Sequence, residues 1–183
     1  MSRRVRITAT IAVLFGFLPG AASAPAASPT CPNATTVPTA ATLQQARDAV
    51  LCLINAEREK RNVPKLRVSP QLRRAALAHS SDMLKRHYFS HITPGGLAPR
   101  QRIKRTGYIR ATSPGAINET LAIGSGELST PAALVRQLID DPPHRRIVVS
   151  RRYRDVGIGL LLGYAADAAR TGGVTLTIDY GHR

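Results

Sequence analysis

Five histidines carry most of the chemistry this sequence could offer: His79, His87, His91, His144 and His182. An imidazole can move a proton near neutral pH or ligate a metal, so their placement decides what is available. His79 falls on an apolar stripe and reads as a buried, hydrogen-bonded core residue, while His87 and His182 read as exposed. His91, in Tyr88-Phe89-Ser90-His91-Ile92-Thr93-Pro94-Gly95-Gly96, and His144, after Pro142-Pro143, each follow a predicted helix in a proline-containing turn. Loops of that kind are where sites are built. Spacing alone does not bring the two together.

The elements that would have to position them can be read from the periodicity. Leu43, Ala46, Val50, Leu53 and Ile54 form a helical stripe within residues 42–62. Ser69-Pro70 supplies an N-cap and a first-turn proline for a second helix, with Leu72, Ala76, His79 and Met83 on one face and an end near His87. Pro99 opens a short third helix that Gly107 closes. Thr130-Pro131 opens a fourth, with Leu134, Val135, Leu138 and Ile139 on its apolar side, and Asp140-Asp141-Pro142-Pro143 stops it. The period then changes. Residues 156–164 and 173–180 read as strands, the second alternating like a strand covered on one side, and a shorter strand fits 119–123. Residues 165–172 read as an exposed loop. Helices first and strands mostly later imply an α+β domain whose helices cover an antiparallel sheet.

Before that domain, Met1 to Arg6 is basic, the stretch from Ile7 is apolar but broken by Pro19-Gly20, and Ala21 to Ser28 is rich in small residues. Residues 1–24 therefore read as a secretory signal peptide, with an uncertain cleavage point, followed by a Pro/Ala-rich tail over 25–42. The apolar run is short of the roughly 20 residues that span a bilayer, and no later run is long enough, so no transmembrane segment is expected in the mature chain. An exported chain with only Cys31 and Cys52 is expected to pair them. That bridge would tie the tail to the first helix and contribute about 3 kcal/mol on a chain-entropy model.

The 26 Lys and Arg against 11 Asp and Glu give a formal net charge of +15, which falls to +12 without Arg3, Arg4 and Arg6. Such a field attracts polyanions, and outside a cell these are anionic cell-wall polymer or lipid. A genome rich in arginine codons would produce the same composition with no partner. Nucleic acid is disfavoured, because an aromatic content of 4% leaves few side chains to stack on bases.

Seven segments then occur in a telling order: Leu53 to Arg58 (LINAER), Ala78 to Met83 (AHSSDM), Phe89-Ser90-His91, Asn118 to Ala122 (NETLA), Pro143-His144-Arg145, Val156 to Gly159 (VGIG) and Thr177 to Gly181 (TIDYG). Together they resemble the bacterial branch of the CAP superfamily, which groups cysteine-rich secretory proteins, antigen 5 and pathogenesis-related 1 proteins, and whose domain is also called SCP. The resemblance covers residues 43–183 and implies a three-layer α-β-α sandwich with a central cleft. In that cleft the family gathers two histidines and two acids, and in several members the histidines bind a divalent metal, usually zinc. Carried over by motif, His91 and His144 would be the metal histidines and Glu119 the acid, with Asn118 and Gln101 in the cleft. Two imidazoles and a carboxylate suit zinc with an open position for water, for which Glu119 would be ligand or general base.

The departures count as well. Residues 92–118 contain no Asp or Glu, and Gln101-Arg102 stand where the family's other acid is expected. Thr120, Pro143 and Arg146-Ile147 also replace the usual residues. The resemblance therefore favours a secreted binding or interaction domain with a metal-capable cleft. A metal-assisted hydrolase acting on peptide or cell-wall bonds is the alternative, and a structural domain without a working cleft is a third reading.

Overall fold

The computed structural model describes residues 30–109, 115–167, 169 and 172–183. The expected leader and the start of the tail lie outside the described residues. Among the described residues, five α-helices and four strands follow one another as α1 (Leu43–Glu59), β1 (Arg67–Val68), α2 (Pro70–Arg86), α3 (Pro99–Arg105), β2 (Ala116–Gly124), α4 (Pro131–Asp140), α5 (Pro142–Val148), β3 (Asp155–Leu162) and β4 (Val174–His182).

The strands form one sheet in the order β1-β3-β4-β2. β4 is antiparallel to both β2 and β3, but two-residue β1 runs parallel to β3, so the sheet is antiparallel except at that edge. α1 and α4 pack together on one face of the sheet, and α2, with α3 beside it, covers the other. This is the expected α-β-α sandwich.

The two faces of β4 explain the layering. Val174, Leu176, Ile178 and Tyr180 join the main apolar core with Val50 and Ile54 of α1 and Leu134 and Leu138 of α4. Thr175, Thr177 and Asp179 point the other way and are equally buried. The alternation of β4 thus marks an apolar core on one side and a polar, helix-covered layer on the other, which corrects the expectation of a strand covered on one face. α2 reaches that polar layer because β3 offers no side chain to hold it off at Gly157 and Gly159. A Cβ on Gly157 would lie 2.0 Å from the Leu72 carbonyl carbon, and one on Gly159 would lie 2.3 Å from that of Ala76. Ser80 of α2 then donates its hydroxyl proton to the Gly159 carbonyl at 2.6 Å, with the Thr177 hydroxyl 2.8 Å away.

Capping follows the sequence closely at α2, where the Ser69 hydroxyl accepts the Leu72 N–H at 3.4 Å. It departs from it at Asp140-Asp141-Pro142-Pro143. α4 does end there, but Pro142 and Pro143 occupy the first turn of α5, where a missing N–H costs nothing, and the Asp141 carboxylate caps the His144 N–H at 3.1 Å. His144 is therefore a helical residue, not one in a turn.

Cys31 and Cys52 form the expected disulfide, with Cα atoms 5.7 Å apart. The tail is also held to α4, where the Ala132 N–H donates to the Ala34 carbonyl at 2.8 Å. At the opposite end of α1, the wholly buried Arg58 guanidinium donates to the carbonyls of Pro64 (2.8 Å), Val148 (2.6 Å), Ser150 (3.0 Å) and Tyr153 (3.1 Å). One side chain thus ties α1 to the link between α5 and β3. Burial lowers its pKa to about 10.

Candidate functional site

A cavity of about 550 Å³ runs beside the edge strand β2. His91 from the α2–α3 loop and Pro99 from α3 line one side of it, His144 and Ile147 of α5 line the other, and Asn118 and Glu119 of β2 form the wall between them. Residues far apart in sequence meet because β2 sits at the sheet edge with a helical layer on either face. His91 and His144 are thereby brought to one cavity, as the resemblance implies.

Glu119 is the hub. Its side chain is 1% exposed, yet it faces His91, Arg102 and His79. His91 donates from Nδ1 to Oε1 at 2.8 Å, and Arg102 donates from Nη2 to Oε2 at 2.6 Å. Arg102 is fixed in turn, since its Nη1 reaches the carbonyls of His91 and Leu97, both at 2.8 Å. Burial works against ionised Glu119, but the His91 hydrogen bond and the charge and hydrogen bond of Arg102 outweigh it and hold its pKa below the usual glutamate value.

His79 is buried as expected, with Nε2 3.0 Å from the Ser90 carbonyl, but it also lies 3.9 Å from Glu119. Burial lowers its pKa, with Glu119 opposing, which keeps the ring neutral. Its Nε2–H goes to the carbonyl, leaving Nδ1 as a buried acceptor without a partner. His144 is tied through Nδ1 to the Asp141 carboxylate at 2.5 Å. His87 ends α2 in a left-handed conformation, and His182 ends β4; both are exposed.

A second buried acid stands beside Glu119, although it is not among the residues that line the cavity. Asp179 of β4 is paired in register with Glu119 and is 1% exposed. Burial raises its pKa well above the usual aspartate value, and the charge and hydrogen bond of Glu119 raise it further, so it is the protonated member of the pair. Sequence reasoning missed it because an Asp in an alternating strand reads as a solvent-facing residue. The signal that would have found it is the run Thr175, Thr177, Asp179, a continuous polar face opposite a helix carrying Ser80 and His79.

Asn118 lines the cavity, with Nδ2 3.3 Å from the Tyr153 hydroxyl and Oδ1 accepting the Glu119 N–H at 2.8 Å. Gln101 is not among the residues that line the cavity; its Oε1 accepts the Ala98 N–H at 2.7 Å at the start of α3, and its neighbour Arg102 makes the contact to Glu119. Among the described residues, no group of three or more His, Cys, Asp and Glu side chains converges as a metal cage. The donor set that remains is two imidazoles whose Nδ1 atoms are engaged by carboxylates, which leaves Nε2 of each for a ligand.

An α-β-α sandwich with a two-histidine, acid-lined cleft at its edge strand defines an SCP-type domain. The family model of the cysteine-rich secretory protein family matches residues 51–180, and the chain belongs to that family. A relative in Bacillus subtilis strain 168, uncharacterized protein YkwD, is 27% identical over 139 residues, which is 76% of this chain and 51% of that protein. The chain therefore spans about half the length of that relative. Among solved structures, an extracellular SCP-domain protein from Bacillus anthracis superposes with a TM-score of 0.63 at 20% identity, covering 80% of this chain and 44% of that one. An outer surface protein from Borrelia burgdorferi gives 0.58 at 19% identity, covering 73% and 90%. At those identities the likeness establishes the fold. No helix among the described residues is long and apolar enough to cross a membrane.

Proposed function

We propose that this protein is a secreted, non-catalytic binding domain whose cleft takes up a divalent metal ion, zinc by its donor set, through His91 and His144, and whose arginine-rich surface engages anionic envelope polymer or lipid. The observation that carries the metal reading is the pairing of each imidazole Nδ1 with a carboxylate, Glu119 for His91 and Asp141 for His144, in the wall of one cavity. Such second partners fix a ring's tautomer and aim its other nitrogen at a ligand. A bound ion would polarise a water in the open coordination position. Export is supported by the leader-like N-terminus and by relatives described as extracellular or outer-surface proteins.

Binding is favoured over hydrolysis by the state of Glu119. A general base needs a pKa near the working pH, whereas Arg102 and His91 hold this carboxylate below its ordinary value and occupy both oxygens. The alternative, metal-assisted hydrolysis of peptide or cell-wall bonds, would first have to release it.

Calorimetric titration of zinc into the protein, alongside His91→Ala and His144→Ala, tests the metal reading. The expected result is one site, lost in both variants; no heat in the wild type overturns it.

A further inference from the structure

A second cavity, of about 340 Å³, lies between α2 and α3. Four arginines, Arg74, Arg86, Arg102 and Arg105, are among the residues that line it, together with the apolar Ala75, Ala78 and Leu97 and one acid, Asp82. Asp82 is already consumed: Arg86 pairs with it, and the Tyr88 hydroxyl donates to it at 2.5 Å. Arg102 is committed to Glu119 on the side of the first cleft. Arg74 spends one N–H on the Thr106 carbonyl at 3.0 Å. Among the described residues, neither Arg74 nor Arg105 has an acidic partner. His79 lines the same cavity, but its Nδ1 is a buried acceptor and offers an anion no proton.

Two uncommitted arginines and two committed ones around one concavity make a focused positive potential, and like charges so placed repel one another until an anion intervenes. Guanidinium forks match the oxygens of a phosphate better than those of a halide, because two N–H groups can meet two oxygens at once. We propose that the α2–α3 cavity is a binding site for a phosphate group, held chiefly by Arg74 and Arg105. This deepens the anionic-partner half of the proposed function and rests on it, while being independent of metal uptake by His91 and His144. It replaces a diffuse basic surface with a defined pocket. Free phosphate, a soluble phosphate ester and a lipid headgroup share the required chemistry.

The test is titration of the protein, at constant ionic strength set with chloride, against inorganic phosphate, glycerol 3-phosphate, and vesicles of phosphatidylglycerol or phosphatidylcholine. Arg105→Gln is the main variant, since that side chain is exposed and its loss should leave the fold intact. Arg152→Gln, exposed on the loop before β3, is the control. Saturable binding of at least one soluble phosphate is expected, weakened about tenfold in Arg105→Gln and unchanged in Arg152→Gln. Glycerol 3-phosphate binding well above inorganic phosphate would identify an ester as the ligand. Added attachment to phosphatidylglycerol vesicles, also sensitive to Arg105→Gln, would identify a headgroup. Equal losses in both variants, or vesicle attachment without soluble phosphate binding, would overturn the pocket and leave only the general basic field. No binding to any anion would overturn the anionic-partner reading with it.

Discussion

Glu119 and Asp179 face one another across the β2–β4 pair, both almost wholly buried, and they share one side of the sheet with His79. Two carboxyl groups in that position cannot both ionise cheaply. Arg102 and His91 bias the charge onto Glu119, so Asp179 keeps its proton.

This division predicts an unusual pH dependence. An acid whose folded pKa is raised binds its proton more tightly folded than unfolded, so Asp179 should cost stability as pH rises above the unfolded aspartate value of about 3.9. Asp179→Asn preserves a donor for Glu119 and cannot ionise. The variant should therefore gain on the wild type between pH 5 and pH 8, measured as the urea midpoint at each pH. A constant difference across that range would refute the assignment.

Arg102 should act in the opposite sense. Its loss in Arg102→Gln strands a buried carboxylate and should cost about 3 kcal/mol at pH 7, the usual scale for breaking a buried pair. Glu119 has a depressed folded pKa, so its contribution is present above the unfolded glutamate value of about 4.3 and fades as pH falls through the folded one. The gap between wild type and variant should consequently narrow on acidification below pH 4, as followed by denaturant titration. A gap that stayed constant there would mean that Arg102 acts only through its bonds to the His91 and Leu97 carbonyls, which do not titrate.

Gly159 tests the layering. A methyl group there would meet the Ala76 carbonyl carbon and oxygen at 2.3 and 2.4 Å, and helix backbone cannot rotate aside as a side chain can. Gly159→Ala should cost about 3 kcal/mol or abolish folding, at the upper end of overpacking penalties. Gly172→Ala is the useful comparison, since no atom lies within 4 Å of a Cβ there, although its φ of +79° adds strain. Equal thermal midpoints in the two variants would argue against close approach of α2 to β3.

What the sequence made legible follows from how local each signal is. Ser69-Pro70, Thr130-Pro131 and the stripe from Leu43 to Ile54 specify helices through nearest neighbours, and those helices are present. His91 and His144 were reachable only through the order of seven short segments, because 3.6-residue and two-residue periods carry no information about which loops meet. The roles of Asp179 and Arg102 were hidden for the same reason. Each depends on a register or a helix rotation set by packing, and an Asp or Arg in isolation reads as solvated. α5 was lost differently: Pro142-Pro143 was read as a stop when it is equally a start, and only the Asp141 cap to His144 distinguishes the two.

Arg58 gives the most severe prediction about stability. It is completely buried, lies inside the LINAER segment at an otherwise ordinary helical position, and has no acidic partner among the described residues. The four carbonyls it meets come from the α1–β1 connection and from residues 148–153, so its charge is met entirely by backbone dipoles. Arg58→Met fills similar volume but leaves those carbonyls without donors, at about 1–3 kcal/mol for each group that water cannot reach. A total loss of about 3–5 kcal/mol is expected, enough to unfold a marginal domain. Arg58→Lys should recover only part of it, since one ammonium cannot span acceptors arranged for a planar fork. Urea denaturation of the three proteins would decide the matter. If Arg58→Lys matched the wild type, the charge alone would be what the site requires, and the fork geometry would be incidental.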